Sequence, residues 1–201
     1  VVPVIERLRQ QVPCVLSVDT MKPAVMRAAC AAGAQFVNDV NALRAPGAIE
    51  AVRDAGAAAC LMHMQGEPRT MQAEPHYDDV VAEVAAFLAG RAEAAMAAGV
   101  ARGRIWLDPG IGFGKHMTRH NLPLLAGLDQ VVALGFPVLL GASRKSFIGA
   151  VSRGARPEAR LGGSIAAALA GAAAGGAARR PPHGAPTGQA PAVLAALEGA
   201  G

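Results

Sequence analysis

The sequence predicts an α/β fold, alternating strands and helices around a parallel sheet, in the form of an incomplete (β/α)8 barrel. Three observations carry this. Short apolar runs alternate with helix-length segments five times along the chain. Each run ends in a polar cluster, which sets functional groups repeatedly at the carboxyl ends of strands. No Gly-x-Gly-x-x-Gly opens a helix, so a dinucleotide-binding doubly wound sheet loses ground.

In chain order, residues 1–11 read as the second half of a helix, with Val4, Ile5 and Leu8 on one face and Pro3 poorly suited to its interior. Residues 14–18 form a first strand running into Asp19-Thr20. Pro23 suits a helix start and Gly33 its end. A second strand, 35–37, runs into Asn38-Asp39, and a helix over 46–55 stops at Gly56. The third strand, 58–62, ends in His63-Met64-Gln65-Gly66. Asp78-Asp79 can cap a long helix with Val80, Val81, Val84, Phe87 and Leu88 inward, closed by Gly99. The fourth strand, 105–107, stops at Asp108. A helix over 122–134 precedes a fifth strand, 137–141, which ends in Ser143-Arg144-Lys145-Ser146, and 161–174 reads as one more helix.

A length of 201 residues suits one domain, 1–201, with 177–192 irregular. The composition is 52% hydrophobic but 3% aromatic, which demands an aliphatic, alanine-rich core. No secretory signal or sustained membrane span is read from the sequence. Cys14, Cys30 and Cys60 lack metal-ligand spacing and read as buried thiols in a reducing, cytoplasmic compartment. The net charge of +4 does not imply nucleic acid, because the arginines are dispersed and the aromatics do not alternate with basic residues. Anionic small molecules fit that charge equally well. Of the 19 basic residues only Lys22, Lys115 and Lys145 are lysines, and each follows a strand-to-loop junction. Those are places where a compact ammonium is wanted over a planar guanidinium.

The richest stretch is Ile105-Trp106-Leu107-Asp108-Pro109-Gly110-Ile111-Gly112-Phe113-Gly114-Lys115. Pro109 ends the strand after a carboxylate. The alternating glycines allow a backbone to approach a flat or anionic group. With Ser17-Val18-Asp19-Thr20, Asn38-Asp39, Leu61-Met62-His63-Met64-Gln65-Gly66 and Ser143-Arg144-Lys145-Ser146, it resembles dihydropteroate synthase across about residues 12–171.

That resemblance implies a pterin-binding (β/α)8 barrel that joins 6-hydroxymethyl-7,8-dihydropterin pyrophosphate to p-aminobenzoate in folate biosynthesis. It also implies Mg²⁺, a homodimer and competition by sulfonamides. Asp108 then accepts paired N–H donors of the pterin, Asn38 donates and accepts on the ring's mixed edge, and Asp19 is a second acceptor. Met62 is an adaptable apolar wall. Lys145 reaches the ring's acceptors and borders the aminobenzoate site, with Phe113 covering the second ring, Ser146 close by and Gly141 at the strand end. Lys145 and Asp108 are the catalytic candidates, and no metal ligand is assigned. His63 reads as structural, and Lys22 as a solvated helix-start charge. The i,i+4 pair His116 and His120 lacks a third ligand nearby, and Lys115 is expected to attract anions to the loop.

Two departures stand against the family pattern. The opening strands, with an Asn-Val-Thr-Pro-Asp-Ser loop that touches Mg²⁺ and pyrophosphate, have no counterpart before Val12. The last strand's Arg-x-His-Asp falls at Arg179-Arg180-Pro181-Pro182-His183-Gly184. Aligning Arg180 as the pyrophosphate ligand there sets Pro182 at the histidine and breaks the strand. The expectation is therefore a chain in which recognition outlasts catalysis. Two alternatives stay open: a non-catalytic pterin- or sulfonamide-binding remnant, and a pterin-binding methyltransferase barrel.

Overall fold

The computed structural model describes residues 1–175 and 178–179. They fall into two compact units, Val1–His63 with Ala86–Asp108, and Met64–Ala85 with the described residues from Pro109 onward.

The first unit is built from α1 (Val2–Gln11), β1 (Ser17–Asp19), α2 (Pro23–Ala32), β2 (Phe36–Asp39), α3 (Ala48–Ala55) and β3 (Ala58–Met62). It continues with the latter part of α4 (Val80–Ala97), then β4 (Ile105–Asp108). The strands form one parallel sheet in the order β1-β2-β3-β4. Helix α1 packs on α2, and α2 on α3. Pro3 sits in the first turn of α1, where no intrahelical N–H is lost, so it does not interrupt the helix. Gly33 and Gly56 close α2 and α3 in left-handed conformations, as the sequence predicts.

Strand β1 starts later than expected, because β2 begins at Phe36 and residues 14 and 15 have no strand to pair with. Cys14 is consequently exposed, contrary to its reading as a buried thiol, and only Cys60 of the three is buried. The core is aliphatic and rich in alanine: Met26, Ala29, Val37, Val52, Ala59, Leu61, Ile105 and Leu107 have essentially no exposure.

The second unit holds the start of α4, α5 (Asn121–Ala126), α6 (Leu128–Val132), β5 (Leu139–Leu140), α7 (Ser146–Val151), α8 (Leu161–Ala173) and β6 (Ala178–Arg179), the last parallel to β5. At the start of α4, Asp79 Oδ1 accepts the N–H groups of Val81 and Ala82, both at 3.0 Å. Glu83 Oε1 takes those of Asp78 and Asp79. This reciprocal box satisfies the helix's orphan donors. The helix expected over 122–134 is two helices, because Gly127 leaves helical ψ between them. Helix α7 has no counterpart in the sequence reading, which passed from the polar cluster directly to the helix over 161–174. Among the described residues no helix is long and apolar enough to cross a membrane.

Candidate functional site

Strand register decides which side chains of the first unit can act together. Asp19 lies opposite Asn38, Asn38 opposite Cys60, and Met62 opposite Asp108. Registered neighbours share a face, and so do residues two apart on a strand. Asp19, Asn38, Met62 and Asp108 therefore stand on one face, each contributed by a different strand at its carboxyl end. Asn38, Met62 and Asp108 are at most 8% exposed. Asn38 Nδ2 donates to Asp19 Oδ2 at 3.1 Å, while Asn38 Oδ1 is buried and bonded to no protein atom. A buried acceptor in that state costs stability unless something supplies a donor.

Asp39, adjacent in sequence, points to the other face and does a different job. Its carboxylate accepts the N–H groups of Asn41 and Leu43, both at 2.8 Å, and it has no exposure. Burial pushes its pKa above the ordinary carboxylate value, although those two amides and Arg44 pull it down. The turn it holds carries Ala42 and Leu43 at positive φ, 52° and 54°. Arg91 braces the same turn, donating from Nε to Ala42 O at 2.9 Å and from Nη2 to Leu43 O at 3.1 Å. The turn directly follows Asn38, so Asp39 and Arg91 fix the backbone that presents it. His63 is buried, edge-on to Phe87 at 4.9 Å, and its N–H donates to Asp108 O.

In the second unit the glycine-rich loop closes on itself. Gly110, Gly112 and Gly114 all have positive φ, as the alternating glycines require. Lys115 is 1% exposed, and its ammonium donates to Gly110 O at 3.1 Å and Phe113 O at 3.0 Å. The expectation that it attracts anions fails: the charge is buried and turned inward onto two carbonyls of the glycine turn. Asn121 Oδ1 takes the Gly112 N–H at 2.7 Å. Lys145 Nζ lies 4.1 Å over the centre of the Phe113 ring. That separation is within cation–π range.

Lys145 is set by its neighbour. Arg144 is at φ 51°, and its N–H donates to Ser164 Oγ at 2.9 Å while its carbonyl accepts Arg160 Nη1 at 3.0 Å. Ser164 Oγ in turn donates to Arg160 O. Gly141 is half-buried just beyond β5, and Ser146 is exposed at the start of α7. Arg180 lies outside the described residues, and of the segment 177–192 expected to be irregular only 178–179 are described, as β6. Sequence reasoning missed Gln72, Tyr77, Asn121, Arg160 and Ser164, which act through backbone atoms and leave no motif of their own.

His116 and His120 both turn Nδ1 to backbone N–H groups. His120 Nδ1 accepts the His116 N–H at 3.0 Å, and His116 Nδ1 accepts those of Thr118 and Arg119. Desolvation, followed by the charges of His116, Lys115, His76 and Arg119, pushes the His120 pKa below its ordinary value. A base with a depressed folded pKa contributes stability above the unfolded value, near 6.5, and that stability is lost as pH falls through the folded value. The melting temperature of the wild-type chain is therefore expected to drop more steeply between pH 7 and pH 5 than that of His120→Gln. Equal slopes would remove His120 as the cause.

Comparison with known proteins gives one answer throughout. Residues 1–180 match the family described as "Pterin binding enzyme". The chain is 45% identical over 169 residues to dihydropteroate synthase of Escherichia coli (strain K12), covering 84% of this chain and 59% of that protein. It therefore spans about three fifths of the length of the curated relatives it matches. Among solved structures, Yersinia pestis dihydropteroate synthase with a sulfonamide drug complex superposes with a TM-score of 0.95 at 41% identity, over 100% of this chain and 73% of that one. The Xanthomonas albilineans enzyme in complex with 7,8-dihydropteroate gives 0.91 at 49%, over 98% and 72%.

Proposed function

The chain belongs to the family of pterin-binding enzymes and has their α/β barrel-type fold, and from that premise we propose that it serves the condensation of 6-hydroxymethyl-7,8-dihydropterin pyrophosphate with p-aminobenzoate to 7,8-dihydropteroate. One observation carries the reading. Four strands bring Asp19, Asn38, Met62 and Asp108 to one face at their carboxyl ends, with a buried Asn38 oxygen that has no protein donor. Paired N–H groups on a pterin's pyrimidine edge suit the Asp108 carboxylate, and a further ring donor suits Asn38 Oδ1. Met62 packs the ring's flat side.

The reaction needs no protein nucleophile. The C–O bond from the exocyclic methylene to pyrophosphate breaks, the leaving group keeps the electron pair, and the ring delocalises the cation. The aryl amine then forms the C–N bond and loses a proton to solvent or pyrophosphate. Catalysis is positioning and charge stabilisation. Asp108 orients the pterin and offsets the developing cation. Lys145 and Phe113 take the aryl amine, with Ser146 and Gly141 beside them, and Arg180 is assigned to pyrophosphate. Sulfonamides compete for the aminobenzoate position, in keeping with the drug complex of the Yersinia pestis relative.

Mg²⁺ belongs to the proposed activity through the pyrophosphate. Among the described residues no group of three or more His, Cys, Asp or Glu side chains could hold a metal, so no step is drawn through one. A homodimer and a cytoplasmic setting are part of the same proposal.

The test is made on the 201-residue chain. Calorimetry is expected to show binding of a pterin, and a coupled assay to show dihydropteroate formed only with both substrates present. Pterin binding without turnover would favour the non-catalytic reading. Methyl transfer from a methylated folate would favour the methyltransferase alternative. Absence of pterin binding overturns the proposal.

A further inference from the structure

Phe113 is held from outside its own loop. In the second unit, Gln72 Nε2 donates to Gly112 O, and Tyr77 Oη donates to Gly114 O at 2.8 Å. These are the carbonyls of the two residues that flank Phe113. Both donors come from the segment after β3, which is itself tied across its base. There, Gln65 Nε2 donates to His76 O at 2.7 Å, and His76 N–H donates to Gln65 Oε1 at 2.9 Å. The fit is close at the backbone too: a Cβ on Gly114 would run into the Gln65 carbonyl oxygen, so the two loops touch where only glycine allows it. Burial and the nearby Glu83 raise the Tyr77 pKa, so its hydroxyl remains a donor across the working range.

We propose that Gln72 and Tyr77 are positioning residues for the aryl-amine substrate, because their bonds to the carbonyls on either side of Phe113 fix that ring beneath the Lys145 ammonium. Without them the loop keeps its internal ties, Lys115 on Phe113 O and the Phe113 N–H on Gly110 O. The outer brace on the carbonyls that flank Phe113 is gone, so the ring is less closely fixed. The slot between ring and ammonium then has to be assembled when the substrate binds. That ordering cost falls on the aryl amine and not on the pterin. The inference rests on the assignment of Phe113 and Lys145 to the aminobenzoate under the proposed function.

Gln72→Glu and Tyr77→Phe keep side-chain shape while removing the donor, so both preserve packing. With pterin and pyrophosphate present, calorimetry on the intact chain is expected to show 4-aminobenzoate bound about fivefold more weakly by each variant. Pterin affinity should stay within about twofold, and a sulfonamide should follow the aminobenzoate. Unchanged aminobenzoate affinity in both variants overturns the inference, as does a parallel loss of both ligands, which would mark a merely structural role. If the wild-type chain binds pterin but no aminobenzoate, the inference is likewise overturned. If it binds neither, the proposed function itself has failed, and the two failures are told apart by the wild-type titrations alone.

Discussion

Asp108→Asn is expected to lower the affinity of this chain for a pterin by at least two orders of magnitude. The substitution is isosteric, and the side chain stands 6% exposed at the end of a strand whose backbone is paired up to Met62. What changes is the hydrogen-bonding face. A carboxylate accepts from two N–H groups, whereas an amide offers one acceptor and directs an NH₂ at the ligand's second donor. Losing one charge-assisted bond and leaving a donor against a donor amounts to about 3–4 kcal/mol, or a few hundredfold in affinity. Asp39→Asn is the internal control. Its carboxylate serves the Asn41 and Leu43 amides on the opposite face, so it should lower the melting temperature and change pterin affinity far less. Calorimetry and thermal melting on both variants check this. A loss of affinity in Asp39→Asn as large as in Asp108→Asn would sink the assignment of faces by register.

That pair of carboxylates shows where the sequence is legible. A run of apolar residues closed by a polar cluster marks a strand end without ambiguity, and every one of the five strands read from sequence lies within three residues of an observed one. Which member of Asn38-Asp39 shares a face with Asp19, Met62 and Asp108 is fixed by alternation against Cys60 and Leu61 on the neighbouring strand, and that is register information. Lys115 reads in sequence as a cation at a loop's mouth. Its inward turn depends on Gly110 O and Phe113 O converging on one point in a turn of positive-φ glycines, a property of the folded loop. Cys14 reads as buried because it opens the apolar run 14–18, yet burial requires a partner strand at that level, and β2 starts too late. Gln72, Tyr77 and Ser164 address backbone atoms, so no side-chain pattern could single them out.

The second large effect is expected from Lys115→Met, in stability. Methionine has nearly the volume and flexibility of the lysine stem, so little cavity is created. The loss includes the ammonium's bonds to Gly110 O at 3.1 Å and Phe113 O at 3.0 Å and its place over the Tyr77 ring. Gly110 O keeps the Phe113 N–H, so the loss falls chiefly on Phe113 O, and because Lys115 itself is 1% exposed water does not readily replace the missing donor there. Removing one partner from a buried polar group typically costs about 1–3 kcal/mol per group left behind. The desolvation that the buried charge no longer suffers offsets part of this. A net destabilisation of about 1–3 kcal/mol follows, which for a chain of this length lowers the melting temperature by roughly 3–10 °C. Because the lock takes Phe113's own carbonyl, 4-aminobenzoate affinity should fall with it while pterin affinity does not. A melting temperature within a degree or two of wild type would mean that the glycine loop is held by Asn121 and its outer contacts, with the lysine incidental.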